Sequence, residues 1–183
     1  MIRPVAFDFN AETAVNNAFQ QQGNNSGAQQ KAEREFDAFA DKLRQAGIDV
    51  TVVQDTPVPH TPDSIFPNNW ISFHWDGTLV LYPMFAVNRR AERKQQVIDA
   101  IASKFEISNR LDFTGREAAN QFLEGTGSMV LDRSNKIAYA CLSPRTDEQL
   151  LNDWCNQMAY RPCAFHSVCL LYTSPSPRDY CAH

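Results

Sequence analysis

The sequence predicts an α/β protein made of copies of one unit, a β-hairpin followed by a helix and a closing strand, set as a ring of small sheets with helices outside. Three observations carry this reading. Helical and strand-like patterns alternate along the chain, the signature of α/β architecture. The helical stretch 29–46 stops at Gly47 and gives way at once to a β-branched run. Hairpin, proline, arginine, helix and strand then occur twice: Trp70 and Met129 stand 59 residues apart, and Arg89 and Arg145 stand 56 apart. A repeated unit of this kind buries its face only against neighbouring copies, which implies a ring or stack.

The elements follow in order. Residues 2–9 (IRPVAFDF) are apolar and partly alternating, which suits a strand. Residues 20–30 (QQQGNNSGAQQ) are polar and rich in Gly and Asn, and read as a mobile loop, either a connector or a cover over a small-molecule site. In 29–46, Ala32, Phe36, Phe39 and Leu43 make one apolar stripe. Gly47 takes the position that ends a helix, and 48–53 (IDVTVV) is a strand. These two strands and their helix are a looser first copy of the unit. Runs 70–74 and 78–82 flank Trp75-Asp76-Gly77, a hairpin signal because Gly tolerates the positive φ of a tight turn. A helix over 89–104 carries Val97, Ile98, Ile101 and Phe105 on one side, and a strand lies near 106–111. The second hairpin joins 128–132 to 136–141. It is followed by a helix over 147–158, with Leu150, Leu151, Trp154 and Met158 in register, and a strand at 160–166.

Composition excludes several classes. Of the 183 residues 43% are hydrophobic and 21% charged, an ordinary globular balance, and a net charge of -4 leaves no basic footprint for nucleic acid. There is no apolar run long enough to span a membrane and no secretory signal at residues 1–10, so the expected compartment is the cytoplasm. The five cysteines form no disulfide framework and no C-x-x-C pair, and Cys141, Cys155 and Cys163 read as reduced, mostly buried thiols. No metalloprotease, nucleophile-elbow or dinucleotide motif occurs, and His60, His74 and His166 lack nearby partners in sequence, which favours structural roles.

Four polar clusters fall at corresponding ends of the repeat, where loops carry function. Asp63, Asn68 and Asn69 lie in Pro62-Asp63-Ser64-Ile65-Phe66-Pro67-Asn68-Asn69-Trp70. A carboxylate accepts two N–H bonds from a guanidinium, and carboxamides read a urea, though the same residue types also build plain turns. Arg89, beside Arg90, opens a helix and can clamp a carboxylate with a fork of donors, or serve as a solvated surface pair. Arg145, in Ser143-Pro144-Arg145-Thr146-Asp147, occupies the equivalent place one repeat later. Glu124 precedes Gly125-Thr126-Gly127-Ser128, where two glycines permit close backbone approach, without the spacing of a phosphate loop.

In order along the chain, IRP, TAVNNAFQ, PDSIFPNNWIS, NRRAER, LEGTGSMVLD and LSPRTD resemble the amidinotransferase-like branch of the pentein superfamily, nearest to the citrulline utilization hydrolases. Dimethylarginine dimethylaminohydrolases and arginine deiminases are more distant relatives. The resemblance covers residues 1–167. It implies an α/β propeller of five ββαβ units, of which about three are present, as the N-terminal part of one domain. It also implies attack by a Cys thiolate on a guanidinium or ureido carbon, with a His as acid and base and no metal or cofactor. Asp63 and Glu124 resemble substrate-site carboxylates of the family, and Arg89 and Arg145 the arginines that bind the substrate carboxylate. The relatives' acidic pair falls on Asn68 and Asn69, which points to a neutral ureido head group, and Gly127 replaces an Asp. The family's His motif and late Cys have no counterpart here, so no residue is assigned as catalytic and this chain is expected to be inactive. Residues 168–183, with Cys169, Cys181 and His183, match no part of the family and resemble translated adapter sequence, a non-native tail. The implied partner is a small guanidino or ureido amino acid, with no nucleic acid or membrane, and a homodimer stays open. The alternatives are a non-catalytic module that binds an arginine-like ligand, and an incomplete propeller with open sheet edges.

Overall fold

The computed structural model of the chain describes residues 1–15 and 27–167. Most of the expected loop at 20–30, and the tail with Cys169, Cys181 and His183, lie outside the described residues. The chain divides into two compact units. One joins Met1–Pro67 to Ala86–Ile107, and the other joins Asn68–Phe85 to the chain from Ser108 on.

The first unit contains strand β1 (Ile2–Arg3), helices α1 (Ala11–Ala14) and α2 (Ala28–Gln45), strand β2 (Val53–Gln54), and helices α3 (Val87–Arg90) and α4 (Gln95–Ala102). β1 and β2 pair in parallel, Ile2 opposite Val53 and Arg3 opposite Gln54. Both strands are shorter than their apolar runs. The pairing runs from Val53 N–H on Met1 O at 2.9 Å to Asp55 N–H on Arg3 O at 3.1 Å, and β2 pairs only as far as β1 reaches. Arg3 ties the pair to α2 through a forked contact, Nε to Asp37 Oδ1 at 2.8 Å and Nη2 to Asp37 Oδ2 at 2.9 Å. At the end of α2, Ile48 N–H reaches Leu43 O at 3.0 Å and Gly47 N–H reaches Arg44 O at 2.9 Å. With Gly47 at φ 81°, this is the two-bond closure that a left-handed residue after a helix permits. The buried face of α2 is centred on Ala40, with Phe36 and Leu43 half-buried, while Phe39 of the expected stripe is 54% exposed.

The helix expected over 89–104 is two helices. Residues 91–94 leave the helical path; Lys94, the residue before α4, has extended backbone and carries its ammonium to Asp55. Phe105 falls beyond α4 and is exposed.

The second unit holds two sheets of one design. β3 (Ile71–Phe73) and β4 (Thr78–Leu81) are antiparallel, and β5 (Asn109–Asp112) runs parallel to β4. β6 (Met129–Asp132) and β7 (Ile137–Cys141) are antiparallel, and β8 (Arg161–Phe165) runs parallel to β7. Each hairpin turns through a positive φ, at Gly77 (79°) and Lys136 (54°). A side chain at Gly77 would put its Cβ 2.7 Å from Ser108 Oγ, where the chain enters β5.

A short helix α5 (Gly125–Ser128) leads into β6, and α6 (Glu148–Met158) connects β7 to β8. Asp147 caps α6 by accepting from Leu150 N–H at 2.8 Å. The helix buries Leu150, Leu151, Trp154, Cys155 and Met158 against Val80, Tyr82, Leu123, Met129, Ala138 and Ala140. Burial of each large apolar side chain in this core contributes about 1.5–3 kcal/mol. Among the described residues no helix is long and apolar enough to cross a membrane.

Candidate functional site

The six candidate residues form two clusters, one in each unit. In the first unit Asp63 is 5% exposed. Its Oδ2 accepts from Asn10 Nδ2 at 2.7 Å and from Thr13 Oγ1 at 3.1 Å, with Arg89 Nε at 3.9 Å. Asn10 caps α1 and exchanges amide contacts with Asn88 at the start of α3, at 2.7 Å and 3.4 Å. Arg89 is also buried, and its Nε and Nη2 donate to the two oxygens of Glu92 at 2.9 Å and 3.0 Å. Nη2 donates again to Phe66 O at 3.2 Å. The Nε–Nη2 edge, one of the two that can fork onto a carboxylate, is thus committed to Glu92. Sequence reasoning missed Asn10, Thr13 and Glu92. The signal for Glu92 was its place three residues after Arg89, within reach across one turn.

In the second unit Glu124 is 1% exposed. One oxygen, Oε1, accepts from Phe85 N–H at 3.0 Å. The other, Oε2, has no hydrogen-bond partner and lies 3.6 Å from Arg145 Nη1. A buried carboxylate oxygen without a donor is costly, and here the Arg145 guanidinium is the charge that faces it.

The two asparagines lie against the same turn. A Cβ on Gly125, whose φ is +40°, would come within 2.5 Å of Asn68 O, and one on Gly127 within 2.6 Å of Asn69 Nδ2. Glycine at both positions is what lets the loop carrying Glu124 close onto Asn68 and Asn69. Asn68 Nδ2 donates to Asn69 Oδ1 at 3.2 Å and to Thr126 Oγ1, which in turn donates to Asn68 O at 3.3 Å. A further residue that sequence reasoning missed, Ser128, accepts from Glu124 N–H at 2.8 Å and donates to Arg145 O at 2.7 Å.

The groups that could act as a nucleophile or base are placed differently. His74 is buried, and Arg133 Nη1 sits 3.5 Å from its Nδ1, which makes Nδ1 the acceptor and Nε2 the donor to Ser72 Oγ at 2.9 Å. Burial first, and the Arg133 charge second, push this ring down to about 4. Ser72 continues to Tyr82 Oη at 2.8 Å, and burial raises that phenol to about 12. Cys155 lies on the buried face of α6, and burial raises its thiol to about 11, which leaves it protonated and inert at neutral pH. Cys141 is buried, Cys163 is half-buried, and all three thiols are free. His60 and His166 are exposed. Among the described residues no histidine is bonded to a cysteine, and no cluster of His, Cys, Asp or Glu could hold a metal ion.

Solved structures share this fold at low identity. The N-terminal domain of ArgZ, an arginine dihydrolase from the ornithine–ammonia cycle in cyanobacteria, seen with product bound, matches with a TM-score of 0.68 and 15% identity over 92% of the chain. The dimethylarginine dimethylaminohydrolase from Pseudomonas aeruginosa, complexed with citrulline, matches with a TM-score of 0.59 and 16% identity over 79% of the chain. AgrE in its ternary complex with ornithine and NAD+ matches with a TM-score of 0.68 and 15% identity over 92% of the chain. The chain covers 57%, 53% and 23% of these three structures, so it spans little more than half the length of the first two. No curated protein matches it in sequence. These likenesses bear out the expected α/β fold of ββαβ units. The family model described as N,N dimethylarginine dimethylhydrolase, eukaryotic, matches residues 3–174. By that match, which runs through both clusters, the chain belongs to the N,N dimethylarginine dimethylhydrolase family of the pentein superfamily, whose members are hydrolases that act on guanidino groups.

Proposed function

We propose that residues 1–167 are the N-terminal, substrate-holding part of a hydrolase that breaks a C–N bond of citrulline, arginine or a related guanidino or ureido amino acid. The attacking thiolate and the acid–base imidazole of this reading lie outside those residues, because Cys155 and His74 are locked in the core and no Cys–His pair occurs among the described residues. The observation that carries the proposal is Glu124. Its Oε2 is buried and lacks a donor, faces Arg145, and belongs to a loop that packs on Asn68 and Asn69.

The chemistry fits an amino acid with a neutral planar head. Glu124 and Arg145 carry opposite charges, and Asn68 and Asn69 carry none, so the cluster as a whole is neutral. A buried guanidinium would bring a net charge into it, whereas a ureido group would not. Arg145 Nη1 is the cation for the ligand α-carboxylate, Glu124 Oε2 accepts a ligand N–H, and Asn68 and Asn69 read the ureido edge. In the first unit Asp63 is a further proposed substrate-contacting carboxylate. Arg89, with its Nε–Nη2 edge held by Glu92, is the proposed cation there.

Calorimetric titration of the chain with L-citrulline and L-arginine tests this. Citrulline is expected to bind, and Arg145→Ala to weaken it by roughly 10- to 100-fold, the worth of a charge-assisted hydrogen bond. Unchanged affinity in that variant would rule out the carboxylate clamp. Binding without release of ammonia is expected of the chain as it stands; turnover would overturn the placement of the thiol and imidazole.

A further inference from the structure

Ser128 is buried, 1% exposed, in the last position of α5, and its side chain is the link between the two charged members of the second cluster. The hydroxyl has one hydrogen, and Arg145 O takes it at 2.7 Å. One of its lone pairs takes Glu124 N–H at 2.8 Å. The atoms therefore form a series, Glu124 N–H to Ser128 Oγ–H to Arg145 O, in which each bond polarises the next.

The turn that carries Arg145 is held partly to itself and partly to the chain before Glu124, where Asp147 N–H binds Phe122 O at 2.8 Å. Thr146 N–H closes onto Ser143 O at 2.9 Å, Arg145 N–H meets Ser143 Oγ at 3.2 Å, and a bridge joins Thr146 to Leu123. Among these contacts between the two segments, the bond from Ser128 is the one that falls on the main chain of Arg145 itself and ties it to the main chain of Glu124. The guanidinium of Arg145 ends 3.6 Å from Glu124 Oε2, too far for a normal hydrogen bond, so that side-chain pair does not lock itself.

From this geometry we infer that Ser128 is a positioning residue, whose hydroxyl holds Arg145 at the spacing from Glu124 that the ligand carboxylate requires. The inference rests on the reading of Arg145 as a carboxylate clamp. Ser128 touches no ligand itself; it acts through the placement of Arg145.

The test compares two probes, L-citrulline and its decarboxylated analogue (4-aminobutyl)urea, titrated by ligand-observed NMR into the unsubstituted chain, Ser128→Ala, Ser128→Thr and Arg145→Ala. In Ser128→Ala, citrulline affinity is expected to fall by at least about tenfold and the analogue by less than about twofold, as a displaced positioning group would give. Ser128→Thr, which keeps the hydroxyl, is expected to restore most of the difference. Should Ser128→Ala fail to fold, Ser128→Cys, with similar volume and a weak donor, carries the same comparison. Equal losses for both probes, or no loss for either, would overturn the inference. If Arg145→Ala removes the discrimination while Ser128→Ala keeps it, the clamp stands and the role of Ser128 fails. If the unsubstituted chain binds neither probe, the ligand reading of the site falls and this inference with it.

Discussion

His74 shows at the scale of one residue how burial turns a titratable group into a sensor of stability. Its ring titrates near 4 in the folded chain against an ordinary value of 6.5, so the unfolded chain takes up the proton first as pH falls. The folded state is therefore fully stabilised above about pH 6.5 and loses stability progressively between 6.5 and about 4, with a slope of at most about 1.4 kcal/mol per pH unit from this group. Urea midpoints measured at pH 7.5 and pH 4.5 are expected to drop more in the unsubstituted chain than in His74→Gln, which cannot titrate. An equal drop in both would place the acid sensitivity elsewhere. Glu124 is a second acidic or basic side chain kept in the interior, with one of its two oxygens lacking a hydrogen-bond donor.

Among the elements, α6 is the one whose start, face and stop all follow from local chemistry. Asp147 caps it, Leu150, Leu151, Trp154 and Met158 fill one face, and Ala159 ends it at φ 55°. Asp147→Ala is expected to lower stability by about 1 kcal/mol, read as a shift in urea midpoint with unchanged slope. This helix was legible in the sequence because its period and its cap agree, and both hairpins were legible because Asp-Gly and Arg-Ser-Asn interrupt alternating runs. The shortened β1 and β2, and the break between α3 and α4, were not. They depend on which partner strand is within reach and on a long-range ion pair, Lys94 with Asp55, that a linear pattern does not display. The same limit applied to the clusters. Asp63, Glu124 and Arg145 could be picked out as charged residues at loop ends, but the groups that hold them, Asn10, Thr13 and Ser128, carry no signal until the chain is folded.

Taken whole, the molecule is interleaved. The chain passes between its two units after Pro67, after Phe85 and after Ile107, so neither unit is one continuous stretch of sequence. The strands β3, β4 and β5 belong to the second unit, while α4, the helix of that same repeat, belongs to the first. The repeat seen in sequence and the compact unit seen in space are therefore different divisions of the chain. A polypeptide of residues 1–85 would contain Asp55 and Asp63 without Lys94 and Arg89, the cations that face them. Such a fragment is expected to give the circular dichroism and narrow amide dispersion of an unfolded chain, whereas native-like dispersion would show that the first unit needs no later segment. The acidic pair left without its cations is the physical reason, since uncompensated buried charges cost several kcal/mol.

The two loops that carry Glu124 and Arg145 are joined at several points. Asp147 N–H binds Phe122 O at 2.8 Å, Gln121 Nε2 reaches Asp147 Oδ1 at 3.3 Å, Leu123 bridges Thr146, and Ser128 closes onto Arg145. Loops stitched together in this way have little conformational freedom left to lose. A ligand that meets them finds its receptor preorganised, and the entropy that a mobile lid would surrender on closing has already been surrendered in folding. On the reading proposed above, selectivity is set by shape and charge at first encounter, before any later rearrangement of the chain could act.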